Sequence, residues 1–154
     1  MTRLISIVVG VLALAVAACG PGVKGTPPAG SALAPSIVEP YLKIHDALAR
    51  DSVDDVKANA GAVATAAAAL GAPAAKIDTA ALQLAAAADL ATARTKFGAL
   101  SEAMVVYMNG LHLTPPDGVR VAFCPMVQTR WLQRGSTIAN PYFGSQMPTC
   151  GEFR

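Results

Sequence analysis

The sequence predicts an all-α domain, a small up-and-down bundle of about four helices followed by a short strand and an irregular C-terminal lobe. Three observations predict it. Apolar residues recur at spacings of three and four from Ile37 to Met108, the period that places them along one side of a helix. Asp51-Ser52, Gly71-Ala72-Pro73, Asp78 and Asp89 punctuate that stretch with residues that cap or stop helices. Beyond Pro115-Pro116 the helical period is lost, and Gly, Pro, Asn and aromatic residues take over.

The elements follow in chain order. Arg3, the uncharged run Leu4 to Val16 and the small residues of Val16-Ala17-Ala18 before Cys19 have the arrangement of an export signal at residues 1–18. The run is too short to cross a bilayer core of roughly 30 Å, which takes about 20 apolar residues in a helix, so a cleaved signal is expected. Val-Ala-Ala-Cys resembles the lipobox of bacterial lipoproteins, which implies that Cys19 carries diacylglycerol, with palmitate-like chains, and begins the mature protein. Two or three acyl chains give the stable anchoring that a single chain does not. Gly20 follows the cysteine where an inner-membrane retention signal has Asp, so an outer membrane, facing the periplasm, is the expected address.

Residues 19–35 are Gly, Pro, Ala and Ser around a single charged residue, Lys24, a composition for a flexible tether rather than a core. Residues 36–154 then form one domain. The first helix carries Ile37, Tyr41, Ile44, Ala47 and Leu48, with Pro40 in its first turn, where a missing N–H is tolerated. Asp51 or Ser52 caps the second, Asp54 and Asp55 lie in its first turn, and Val53, Val56, Ala60, Val63 and Ala67 form its apolar stripe as far as Leu70. Asp78 opens the third. Asp89 opens the fourth, with Leu90, Ala93, Phe97, Leu100, Met104 and Met108 on one side. Asp117-Gly118 is a turn signal and Val119 to Phe123 a short strand, after which Trp131, Tyr142 and Phe143 anchor the lobe.

Without Arg3, eleven of the twelve Lys and Arg face ten Asp and Glu. No strong field draws such a domain to nucleic acid. Nor is there a catalytic constellation: Ser101-Glu102 and Ser136 lack identifiable His and Asp partners, no Gly-rich phosphate loop follows a strand, and neither histidine belongs to a zinc-protease motif. The chain is not expected to be an enzyme.

The tail holds the distinctive chemistry. Cys124-Pro125-Met126 begins it and Met147-Pro148-Thr149-Cys150 nearly ends it. Thiolate and thioether are soft donors that select monovalent copper or silver, so Cys124, Met126, Met147 and Cys150 are candidate ligands if the loop closes on itself. The alternative is a structural or interaction module, in which the Asn140-to-Gly144 segment makes a packed surface for another envelope protein and the cysteines pair. Lipidation of Cys19 leaves two cysteines in an oxidising compartment, and a Cys124–Cys150 disulfide closing a loop of about 27 residues stabilises by roughly 3.5 kcal/mol on chain entropy. Met104 and Met108, one turn apart, read as core. His45 beside Asp46 reads as an ordinary helix residue. His112, at the end of the fourth helix, complements the dipole there and is a secondary ligand candidate.

Val-Ala-Phe-Cys-Pro-Met at 121–126, Trp131, Asn140-Pro141-Tyr142-Phe143-Gly144, Met147 and Cys150-Gly151 together resemble the C-terminal signature of a family of uncharacterised exported bacterial domains. Some members are attached to periplasmic adaptor subunits of copper and silver efflux pumps. The resemblance extends to Tyr41 to Leu48 and Phe97 to Met104. It implies a helical domain that handles heavy metals, with Cys124, Met126, Met147 and Cys150 as ligands and an efflux component as partner. Lys96 stands here where relatives have a histidine beside Phe97, and the stretch from Met126 to Trp131 is shorter.

Overall fold

The computed structural model of the protein describes residues 27–154; the signal at 1–18, Cys19 and the tether up to residue 26 lie outside the described residues. Four helices carry most of the core: α1 (Pro35–Ala49), α2 (Val56–Leu70), α3 (Ala75–Ala85) and α4 (Leu90–Gly110). A short 3-10 turn, Ala72–Ala74, leads into α3, and another, Gly144–Gln146, lies in the tail. The remaining elements are strands β1 (Val119–Cys124), β2 (Thr129–Arg134) and β3 (Glu152–Phe153), which form an antiparallel sheet in the order β2-β1-β3. The all-α expectation is therefore corrected to four helices plus a small three-stranded sheet.

β1 is the short strand that the alternation from Val119 to Phe123 predicts, whereas β2 and β3 leave no such pattern, for a physical reason. Trp131, Leu132 and Gln133 are buried consecutively in β2, because the strand is covered on both faces and shows no alternation. β3 is two residues long and exists only through pairing of Phe153 with Ala122 and of Glu152 with Phe123. No local pattern announces such a strand.

Consecutive helices pack on each other, α1 on α2, α2 on α3 and α3 on α4, as in an up-and-down arrangement, but α1 and α4 meet only slightly. β2 packs against both of them. The sheet thus occupies the seam where a closed bundle would place its last helix on its first. Tyr41 ties the three elements together: its hydroxyl lies 2.6 Å from Ser101 Oγ on α4 and accepts from the Leu132 N–H at 3.1 Å, while its ring stacks on Phe97 at 5.0 Å.

Alanines make the helical contacts close. Ala60, Ala64 and Ala67 of α2, Ala74 of the 3-10 turn and Ala81 of α3 are buried in the core, and side chains this small let helix backbones approach. Asp89 caps α4 as expected, accepting from Thr92 N–H at 2.7 Å, so α3 and α4 are separate helices. Other boundaries move. α2 starts at Val56 after Asp55 in a left-handed conformation, φ 58°, with no side-chain cap, and Val53 is exposed instead of lying on the apolar stripe. Asp51 cannot cap it, because its carboxylate accepts from Arg94 and from the Ser145 N–H. α3 begins at Ala75, with Asp78 inside its first turn, and Pro40 lies within α1 rather than in its first turn.

The tether expectation also meets a boundary. Leu33 is fully buried. Gly30 N–H donates to His112 O, Leu33 N–H to Thr114 O and Thr114 N–H to Ser31 O, so the chain just before α1 is fastened beside the end of α4.

Candidate functional site

The tail brings its two cysteines together from opposite ends of a loop. Cys124 is the last residue of β1, paired with Thr129 of β2, and is fully buried. The register of β1 with β3, Phe123 opposite Glu152, carries Gly151 to the level of Cys124 and leaves Cys150 diagonally beside it. Both are unbridged thiols. Burial, and after it the Cys124 sulfur close by, push the Cys150 thiol above its ordinary pKa.

Gly151 makes this approach possible. Its φ is +148°, a conformation L side chains rarely adopt, and a Cβ there would stand 2.7 Å from Trp131 Cη2 and 3.0 Å from Phe123 O. The residue after the second cysteine therefore has no room for a side chain.

Asn140 organises the pair. Its Nδ2 donates to Cys124 Sγ at 3.4 Å and to Cys150 O at 2.6 Å, and its Oδ1 accepts from Tyr142 N–H at 2.8 Å and Phe143 N–H at 3.2 Å. Its N–H donates to Pro148 O and its carbonyl accepts from Gly144 N–H. The Asn-Pro-Tyr-Phe-Gly segment is thus a turn wound around one buried carboxamide. The sequence gives this segment packing anchors and a place in the family signature but no part in positioning the cysteines; the available signal is the Asn-Pro pair itself, since Asn folds its side chain onto the backbone two residues on.

Further contacts fasten the turn to the helices. Arg94 on α4 donates through Nε to Pro141 O at 3.0 Å and through Nη2 to Leu48 O at 3.1 Å, and pairs with Asp51. Gly144, at φ +52°, lies so close to Asp51 and Arg94 that a Cβ would overlap both. Tyr142 donates to Arg130 O at 2.7 Å and meets Trp131 edge-on at 5.7 Å. Trp131 Nε1 donates to Gln133 Oε1 at 3.0 Å, and Gln133 Oε1 also accepts from Ala139 N–H. His45, buried in α1, holds Ala139 O with Nε2 at 2.9 Å and faces Asp46 with Nδ1; it is a structural strut for the same loop.

The other predicted site residues divide. Met126 lies two residues past Cys124 in the β1–β2 turn and is exposed by 64 %. Met147 follows the 3-10 turn and is half-buried, with its carbonyl accepting from Cys150 N–H at 3.2 Å. Both thioethers belong to segments that adjoin the thiols. His112 does not: it precedes β1 while Cys124 ends it, and the five steps from Val119 to Cys124 alone span about 17 Å. Among the described residues no three His, Cys, Asp or Glu side chains gather at a metal-binding distance. Met104 and Met108 are buried core.

An open groove of about 490 Å³ runs between α4 and the tail, walled by Ala91, Arg94, Gly98, Val127, Tyr142 and Phe143, with neither cysteine in its lining. It holds no acid–base pair. Burial drives the Tyr41 and Tyr142 phenols far above their ordinary pKa, so both act as neutral hydrogen-bonding groups. Ser101 is occupied by Tyr41, and Glu102 by the Arg130 guanidinium and backbone N–H. No helix among the described residues is long and apolar enough to cross a membrane.

A family model described as "Protein of unknown function (DUF3347)" matches residues 37–114, just over half of the chain, and the chain belongs to that family. The matched span begins in α1 and closes four residues before β1, so it takes in the helices and none of the sulfur-bearing tail. No curated protein and no solved structure matches the chain.

Proposed function

We propose that this DUF3347 member is an envelope lipoprotein domain, anchored through Cys19, that binds one monovalent copper or silver ion through Cys124 and Cys150 and buffers it or passes it to an efflux partner. The observation that carries the reading is the convergence of two cysteines from β1 and the end of the tail on a single buried amide, which donates to the Cys124 sulfur and to the Cys150 carbonyl. The donor set suits the cargo. Two soft sulfurs satisfy a monovalent coinage-metal ion, whereas a structural zinc site takes four N or S ligands and calcium six or more oxygens. Met126 and Met147 supply auxiliary thioethers from the adjoining segments, and Met126 is exposed enough to move onto an arriving ion. His112 is too far along β1 to take part. No catalytic or nucleic-acid-binding role is proposed.

The same convergence supports a second reading, in which Cys124 and Cys150 form a disulfide and the domain is a structural or interaction module of the envelope. A competition titration of the reduced mature protein with monovalent silver separates the two. The metal reading expects one tight equivalent, lost in both Cys124→Ser and Cys150→Ser and weakened in Met126→Leu and Met147→Leu. No binding beyond that of the double serine variant, with a two-hydrogen mass loss in protein isolated without reductant, overturns it in favour of the disulfide.

A further inference from the structure

We infer that Asn140 is the positioning residue of the cysteine pair, the group that keeps Cys124 and Cys150 side by side as reduced sulfurs and fits them to a soft cation. The inference rests on the soft-ion reading for its metal arm and on geometry alone for its redox arm.

The carboxamide has four hydrogen-bonding positions in these contacts, two N–H and two lone pairs, and all four are used: Cys124 Sγ and Cys150 O on one side, Tyr142 N–H and Phe143 N–H on the other. The side chain is 1 % exposed, so water replaces none of them. Its orientation is fixed, because peptide N–H groups can only donate and must face Oδ1. That leaves Nδ2 facing the sulfur and the carbonyl. Backbone bonds to Pro148 O and from Gly144 N–H hold the residue from two more directions.

Each contact has a separate consequence. The N–H aimed at Cys124 Sγ complements electron density on that sulfur, as a thiolate or as a ligand of a monovalent cation. A disulfide sulfur is a poorer acceptor, so this donor favours the reduced pair. The N–H on Cys150 O fixes the backbone that carries the second sulfur. The two acceptor contacts tie the pair to the Tyr142–Phe143 turn, which walls the groove beside α4.

Asn140→Asp separates these roles. It keeps an oxygen for Tyr142 N–H and Phe143 N–H and replaces the two donors with an oxygen facing the sulfur and the carbonyl. Asn140→Ser is the second variant, since a serine hydroxyl can accept from the N–H two residues on but is too short to reach the sulfur. Two quantities are measured on the full mature protein, each beside its thermal midpoint. The first is the equilibrium with glutathione, in which the two thiols lose two hydrogens as the disulfide forms and one oxidised glutathione is reduced to two thiols. The second is silver affinity.

The expected result is a shift of about tenfold or more toward the disulfide and a similar loss of silver affinity in both variants, the scale of one charge-assisted hydrogen bond. Variants whose midpoints fall while both equilibria match wild type assign Asn140 to structure alone and overturn the inference, as does failure of both variants to fold. If wild type binds no silver but the glutathione equilibrium shifts as expected, the soft-ion reading fails and the role of Asn140 stands. If wild type binds silver and neither equilibrium moves in the variants, the role of Asn140 fails and the soft-ion reading stands.

Discussion

The helices and the C-terminal lobe are held together by different means. In α2 and α3 the contact is spread over many small equivalent groups, Ala60, Ala64, Ala67, Ala80 and Ala81, none of which is singular. The lobe has three short strands and depends on individual atoms: the Asn140 carboxamide between two cysteines, the Gln133 Oε1 shared by Trp131 and Ala139, and the missing Cβ of Gly151. The family match follows the first region and stops before the second. The match thus covers the helices, whose periodic packing leaves a pattern across many positions, and not the tail motif.

One substitution made in both regions breaks or sharpens that contrast. Gly151→Ala places a methyl against Trp131 and the Phe123 carbonyl at a left-handed φ and is expected to destabilise by about 2–3 kcal/mol. Gly61→Ala, inside α2 where a Cβ meets open space, is expected to stabilise by about 0.5–1 kcal/mol. Trp131 is the sole tryptophan and sits in the lobe, so its fluorescence follows that region while far-UV circular dichroism follows the helices. In Gly151→Ala the fluorescence transition should precede the helical one in urea. Coincident transitions with an unchanged midpoint would make the two regions equivalent and sink the contrast.

A smaller effect lies at the junction between the regions. Arg130 of β2 holds Glu102 of α4 by its side chain and its N–H, and those hydrogen bonds draw the Glu102 carboxyl below its ordinary pKa. A carboxylate depressed by folding contributes stability above its unfolded pKa and loses it as pH falls through the lower folded value. With both side chains about one-third exposed, screening limits the contribution to less than about 1 kcal/mol. Urea midpoints of wild type and Glu102→Gln should therefore differ near neutral pH and converge in acid; a difference independent of pH would assign the contact to packing instead.

What the sequence revealed follows the same division. The spacing of Phe97, Leu100, Met104 and Met108 and the Asp89 cap located α4, because each signal is local and repeated. The start of α2 was misplaced, since Asp51 had a distant claim from Arg94 and Ser145 that no nearby residue reveals. β2 and β3 leave no local signal, since β2 is buried on both faces and β3 is two residues long. In the site, the sulfurs were legible from their chemistry and the pairing of Cys124 with Cys150 from their number, but Asn140 was not, since its role consists entirely of contacts to residues brought near by the sheet. His112 stands close before β1 in the sequence, and that strand of extended backbone separates it from the thiols.

A sulfur site for a soft ion in the tail has a direct spectroscopic signature, read by X-ray absorption at the copper edge of reduced protein loaded with one equivalent of monovalent copper. The expected spectrum has a first shell of sulfur alone that loses scattering in Cys124→Ser and in Cys150→Ser. A first shell containing nitrogen or oxygen, unchanged by those substitutions, would contradict it.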